Sequence, residues 1–270
     1  LEAKSRFLNL LKNRSGGGVI LNADDPFYSE LATRAASLPQ LTYGLVTEGA
    51  KIRAVNLAQT EKGCYSFDLL GWSVPFRVTL QLPGKFNLYN ALAAAATAYQ
   101  EELVPEAVST GLNALQQVPG RFEEIEAPAG FTVIIDFAHT PDGVRNVLEF
   151  LDKVKKNKLY VVIGCGGERD KGKRRVIGDI TATIADFVIF TNDNPRFEPP
   201  EEIIADILEG VKSDNYIVII DRETAIVEAS RRALKGDIIA VLGKGNEQYQ
   251  IIRDKKIPYN DKNTVRRLKL

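Results

Sequence analysis

Residues able to bind or polarise small charged molecules cluster in a few short turns. Asp136-Phe137-Ala138-His139, Gly164 to Asp170, Asn192 to Arg196, Asp221-Arg222 and Gly243-Lys244-Gly245-Asn246-Glu247 each follow a short apolar run. Gly164-Cys165-Gly166-Gly167-Glu168-Arg169 approaches a dinucleotide fingerprint, but Arg169 stands where the third glycine belongs, which argues against a nicotinamide site. Gly167 to Lys173 fits a phosphate loop up to Arg174, where a magnesium-binding hydroxyl is required. Arg169, Lys171, Lys173, Arg174 and Arg175 beside these glycines still suit a carboxylate or phosphate. Asn194-Pro195-Arg196 is a rigid turn carrying an amide and a planar guanidinium, the group suited to gripping a carboxylate with two hydrogen bonds. Asp136 ends its apolar run, as acids that accept ribose hydroxyls do. His139 is the sole histidine, and ligand contact and a structural role both stay open for it. Asn87 and Asn90, three apart, share a helix face, with helix capping as the plainer reading.

The elements that must carry these turns show two grammars. Residues 18–22 read as a buried strand, followed at Asp24-Asp25-Pro26 by a capped helix. Residues 51–81 alternate polar and apolar with Gly63 and Gly71 at turns, which predicts an antiparallel patch. Helices are predicted over 87–100 and 105–115. From Arg121 onward, strands at 132–137, 159–163, 187–191, 216–220 and 238–242 alternate with helices at 144–154, 173–185, 200–208 and 222–234. Continuous Val, Ile and Phe runs are what strands buried on both faces of a parallel sheet require. The fold class is therefore α/β, ending in a Rossmann-like doubly wound domain. Ligands of such sheets sit at the carboxyl ends of the strands, so the five turns predict one composite site. Val118-Pro119-Gly120 is the predicted hinge between domains at 1–118 and 119–270.

Composition excludes several classes. Basic and acidic residues number 35 each among 270, so no counterion-driven nucleic-acid binding is expected. No apolar run reaches the roughly 18 residues of a membrane span, and no secretory leader is read, so neither membrane insertion nor export is expected. Cys64 and Cys165 build no disulfide framework, which suits a reducing cytoplasm, and one histidine rules out a zinc cluster. Methionine is absent, and Leu1 to Leu11 read as the middle of a helix without a cap, so a fragment is expected.

In their joint order these segments resemble the Mur ligases, and within them the UDP-N-acetylmuramoyl-tripeptide synthetases. The resemblance rests on Asn22 to Pro26, Gly84-Lys85-Phe86-Asn87-Leu88-Tyr89-Asn90 and Pro119-Gly120-Arg121-Phe122-Glu123. It continues through Asp136 to Pro141, Gly164 to Arg174, Asp193-Asn194-Pro195-Arg196, Asp221-Arg222 and Gly243 to Glu247. It implies a truncated central ATPase-type α/β domain followed by the C-terminal Rossmann-like domain. It also implies an ATP- and Mg2+-dependent cytoplasmic ligase of peptidoglycan precursor synthesis. There the γ-phosphoryl group passes to a carboxylate of UDP-MurNAc-L-Ala-D-Glu, and an incoming amine attacks the acyl phosphate. By resemblance Asn87 and Asn90 contact adenine, Arg121 bridges domains near the nucleotide, and Asp136 with His139 holds the ribose side. Lys4 matches the carbamylated lysine that positions Mg2+. Arg169, Asp193, Asn194, Arg196, Gly243 and Glu247 match the acceptor site.

An Asp-Asn-Pro-Arg turn accompanies meso-diaminopimelate in the family. Lysine lacks the distal carboxylate and would leave Arg196 unmatched. Position 246 departs from the pattern, with Asn in place of the family's His. The family's phosphate loop and UDP-binding domain precede the region matched, so the chain by itself is expected to lack ATP hydrolysis. Two alternatives stand beside this reading: a non-catalytic nucleotide- or amino-acid-binding module, and a lysine-adding relative.

Overall fold

A computed structural model describes residues 6–8, 10, 11 and 17–268, and their backbone follows the two grammars of the sequence. The chain divides into two units, Leu1–Gln116 and Gln117–Leu270. In the first, β1 (Val19–Asn22), β2 (Gln40–Gly44), β3 (Ile52–Gln59), β4 (Cys64–Leu70) and β5 (Phe76–Pro83) form one sheet in sequential order. The β1–β2 and β2–β3 pairs are parallel, and the two later pairs are antiparallel. Helix α1 (Tyr28–Arg34) follows β1, and α2 (Lys85–Gln100) and α3 (Pro105–Ala114) follow β5. Alternation along β3 to β5 buries Ile52, Ala54, Phe67, Leu69, Val78 and Leu80 against Leu88, Leu92 and the alanines of α2. Small alanines let the helix axis approach the sheet closely.

The capped helix expected after β1 takes another form. Helix α1 starts without a side-chain cap. The Asp24 carboxylate instead accepts backbone N–H groups of Leu45, Val46 and Thr47 and the Tyr89 hydroxyl. Those donors hold it well below the usual carboxylate range despite its partial burial. Asp24 thus ties the β2–β3 loop to the end of β1.

In the second unit, β6 (Glu123–Glu126) pairs antiparallel with β7 (Thr132–Asp136). Then come α4 (Pro141–Val154), β8 (Leu159–Ile163), α5 (Gly172–Ile184), β9 (Phe187–Phe190), α6 (Pro200–Leu208), β10 (Tyr216–Val218), α7 (Arg222–Arg232) and β11 (Ile238–Leu242). A hairpin of β12 (Tyr249–Ile252) and β13 (Lys255–Pro258) and helix α8 (Asp261–Arg267) complete it. The sheet order is β10-β9-β8-β11-β7-β6, parallel from β10 through β7. Each strand's period-two alternation sends one set of apolar side chains to each face. Val133, Ile135, Val162, Ile189 and Val241 meet Ala225, Ile226 and Ala229 of α7 and Val265 of α8. The chain passes from β7 to β8 across the slot later filled by β11, which opens the crevice where such sheets bind ligands.

Four elements of this unit were not expected. Strand β6 reads Glu-Glu-Ile-Glu, and its charges conceal an edge strand whose Glu123 is nonetheless buried. Its carboxylate pairs with Lys262 and accepts the Gly120 N–H. The hairpin and α8 also lie beyond the last strand foreseen.

Candidate functional site

Turns at the carboxyl ends of β7, β8, β9 and β11 surround a cleft of about 350 Å³. Its lining includes Arg169, Asp193, Asn194, Arg196, Gly243 and Glu247, so the residues expected to hold an acceptor stand together. The β8 turn reaches the β9 turn because Gly167 has no side chain; a Cβ there would meet the Pro195 carbonyl oxygen at 1.9 Å. Gly167 N–H donates to the Asn194 carbonyl at 2.9 Å. On the opposite wall Gly243 (φ +110°) leaves room for Asp193, whose Oδ2 would lie 2.8 Å from an added Cβ.

The charges are arranged by sign. Asp193 is 7% exposed, and its carboxylate accepts no hydrogen bond among the described residues. Burial pushes its carboxyl up, and the nearby Lys244 and Arg222 cations oppose that rise. Glu247 Oε2 accepts Asn194 Nδ2 at 2.8 Å and Lys244 Nζ at 2.7 Å. Arg196 donates from Nη1 to the carbonyls of Gly167 (2.8 Å) and Asn194 (3.3 Å). Neither Arg196 nor the exposed Arg169 forms an ion pair among the described residues. Two guanidiniums without acidic partners and two carboxylates in one cleft suit a ligand carrying both a carboxylate and an ammonium.

Strand β12 positions this turn. Ile251 N–H donates to Asn194 Oδ1 at 2.8 Å, and Gln250 Nε2 donates to the Asp193 carbonyl. Arg196 N–H donates to the Ile251 carbonyl, while Arg253 N–H donates to the Arg196 carbonyl at 2.7 Å. Nothing in the sequence flagged Gln250 or Ile251, because the hairpin carries no glycine or asparagine turn signature.

Several expectations are redrawn by the geometry. Of the basic run beside the glycines, Arg174 is fully buried, bonded to Glu198 and Asp206 and donating to the Gly166 carbonyl. It holds the turn from behind and reaches no ligand. Lys171 pairs with Glu198 at 3.3 Å, and Lys173 Nζ donates to the His139 carbonyl at 2.8 Å. Lys173 and Arg169 alone of the five line the cleft. The Asp221-Arg222 turn stays out of it: Asp221 caps α7, and Arg222 is buried in a two-bond pair with Asp261. Asp136, expected to face ribose hydroxyls, accepts Phe122 N–H (2.7 Å) and Ala138 N–H (2.6 Å). Burial pushes its carboxyl up against those bonds, and it serves to fix the loop that carries Arg121.

Arg121 is exposed and stacks over the Phe137 ring at 4.8 Å. His139 is also exposed, with its edge on the same ring; Nδ1 donates to the Phe137 carbonyl at 2.8 Å, which leaves Nε2 open. In the first unit Asn87 is buried and donates to the Pro83 carbonyl at 2.9 Å. Its Oδ1 accepts from the exposed Asn90. Neither caps the helix, which starts at Lys85 with Gly84 at the cap position. Asn90 therefore presents an amide that Asn87 orients. Lys4 lies outside the described residues. Among those described, no three acidic, histidine or cysteine side chains converge as metal ligands.

Two family descriptions match the chain: the Mur ligase middle domain over residues 1–98 and the Mur ligase glutamate ligase domain over 120–245. The chain belongs to the Mur ligase family. This Mur ligase chain is 44% identical over 248 residues to UDP-N-acetylmuramoyl-L-alanyl-D-glutamate–2,6-diaminopimelate ligase 1 of Clostridium acetobutylicum, covering 91% of the chain and 51% of the relative. It is 41% identical to the corresponding ligase of Halalkalibacterium halodurans, covering 95% and 52%. The chain thus spans about half the length of the curated relatives it matches. A solved 2,6-diaminopimelate ligase superposes with TM-score 0.55 at 33% identity, over 98% of the chain and 55% of that structure. Folylpolyglutamate synthase of Mycobacterium tuberculosis, solved with ADP and AMPPCP, shares the fold with TM-score 0.70 at 20% identity, over 88% and 55%. No helix among the described residues is long and apolar enough to cross a membrane.

Proposed function

We propose that the second unit holds the acceptor amino acid of an ATP-dependent amide ligase of peptidoglycan precursor synthesis, and that this acceptor is meso-diaminopimelate. Residues 1–118 are then part of the central ATP-binding domain, and 119–270 are the acceptor-binding domain of a cytoplasmic enzyme. The whole protein joins meso-diaminopimelate to UDP-MurNAc-L-Ala-D-Glu. ATP supplies the phosphoryl group that turns the dipeptide carboxylate into an acyl phosphate; the amine displaces phosphate and leaves an amide. One observation carries the reading: Arg169 and Arg196, without acidic partners, share a cleft with Asp193 and Glu247. In this reading Arg196, with Arg169, grips the distal carboxylate, and Asp193 with Glu247 takes the distal ammonium. Gly243 keeps the backbone clear of the ligand. Relatives named for 2,6-diaminopimelate support the choice over lysine.

For the nucleotide, Asn90 offers an outward amide to adenine, and Arg121 and His139 offer a cation and an open ring nitrogen on a separate turn. Asp136 and Asn87 act by orienting those neighbours. Lys4 remains the proposed carbamylated residue toward Mg2+.

Isothermal titration of the 270-residue chain with meso-diaminopimelate and with L-lysine tests the reading. Diaminopimelate is expected to bind about tenfold to a hundredfold more tightly, the value of a charged hydrogen-bonded pair that lysine cannot form. Equal affinities overturn the choice of acceptor, and no binding of either overturns the site.

A further inference from the structure

Lys244 sits behind the cleft with no exposed surface, although lysine is almost never fully buried unless paired. Its Nζ lies 3.0 Å from Asn194 Oδ1 and 2.7 Å from Glu247 Oε2. Asn194 Oδ1 also accepts Ile251 N–H, so its amide has one orientation, with Nδ2 toward Glu247 Oε2. Two donors therefore occupy one oxygen of Glu247 and leave Oε1 for a ligand. Asp193, 7% exposed and without a hydrogen-bond donor among the described residues, lines the same cleft.

Of the cations around the cleft, Lys244 is the one that hydrogen-bonds Glu247, and Arg169 and Arg196 form no ion pair with either carboxylate among the described residues. Glu247 Oε1 and the Asp193 carboxylate therefore stay open to an ammonium donor, the partner that a poorly solvated carboxylate requires. Without Lys244, Asn194 would lose a partner that fixes its amide.

We infer that Lys244 is a positioning residue that sets Asp193, Asn194 and Glu247 to receive one ammonium group of the acceptor. The inference rests on the proposed reading of the cleft as the acceptor site and adds a specificity determinant to it. Lys244 touches no ligand itself. It acts on the ammonium end, whereas Arg196 acts on the carboxylate end, so the two residues discriminate between different acceptor analogues.

The test compares meso-diaminopimelate with L-2-aminopimelate, which keeps both carboxylates and lacks the distal amine. Titrations use the 270-residue chain and its Lys244→Met and Lys244→Gln variants, each checked for folding by its melting temperature. Wild type is expected to prefer diaminopimelate by about tenfold or more, as a charged hydrogen bond implies. In either folded variant that preference collapses to within about threefold, a residual smaller than one charged hydrogen bond would leave. General damage to the cleft would weaken both ligands and preserve their ratio. In the unmutated chain, the Lys244 13Cε resonance should move on adding diaminopimelate and stay in place with 2-aminopimelate. A wild-type ratio in a folded variant, or an unmoved resonance, overturns the role of Lys244 alone. A wild-type chain that binds neither ligand overturns the acceptor reading, and this role with it.

Discussion

Arg196 adopts a left-handed backbone conformation (φ +54°), uncommon for a residue with a long side chain. The two backbone hydrogen bonds to Ile251 and Arg253 hold it there, and Nη1 is tethered to two carbonyls before any ligand arrives. A guanidinium ordered in advance loses little freedom on binding. Arg196→Ala is therefore expected to weaken meso-diaminopimelate binding by about tenfold to a hundredfold while leaving lysine binding unchanged, as read by calorimetric titration. Arg196→Lys should fail to restore it, since a point charge cannot reproduce the planar fork. Glu198 makes a different kind of prediction. Bonding to Arg174, then the Glu168 N–H and Lys171, lowers its carboxyl from 4.5 to about 2. A depressed folded value means its stabilisation is complete above 4.5 and is lost as pH falls toward about 2. Glu198→Gln should flatten the acid limb of the stability profile in that window, measured by denaturant melts at stepped pH. Among single residues, Asn194 and Arg196 were legible as parts of a strand-end turn, and both line the cleft. Lys244 was not, because its role depends on burial and on an asparagine fifty positions away.

Helix α5 illustrates what can be read at the scale of an element. Its strand neighbours β8 and β9 were legible as apolar runs, and the helix between them as an amphipathic stretch. The end of the β9 turn was not legible, because backbone bonds from a hairpin far along the chain shape it. Strand β6 was hidden by its glutamates: Glu124 and Glu126 are exposed, and the burial of Glu123 depends on Lys262 in α8. Within α5, Gly178 looks like a weakness, since alanine in a helix interior is worth about 1 kcal/mol more than glycine. Here an added Cβ would meet the Ile207 carbonyl oxygen of α6 at 2.1 Å, a backbone atom that cannot swing aside. Overpacking of this kind costs about 1–3 kcal/mol, more than the helix gains. Gly178→Ala should therefore lower the denaturant midpoint of the second unit. A raised midpoint would mean that α5 and α6 separate more readily than their contact implies.

Across the whole molecule, the change from alternating strands to βα repeats was visible in the sequence, because parallel strands buried on both faces need unbroken apolar runs. Which turns converge was only partly visible. Five strand ends were candidates, and the β10 turn drops out because Arg222 faces inward to Asp261. Ligand binding should trace that selection across the chain. Hydrogen exchange in meso-diaminopimelate should slow at Gly166–Asp170, Asp193–Arg196 and Gly243–Gln250, the turns and the β12 backbone that hold them. The Asp221–Arg222 turn and strands β3 to β5 should exchange as before. At a ligand concentration of about a hundred times Kd the bound state gains about 2.7 kcal/mol. For a unit of this size, that gain raises the melting temperature by roughly 5–10 °C. Lysine at the same concentration should give a smaller shift, because Arg196 stays unmatched. Protection spread over the sheet of the first unit, or equal shifts with both amino acids, would place acceptor recognition somewhere other than this cleft.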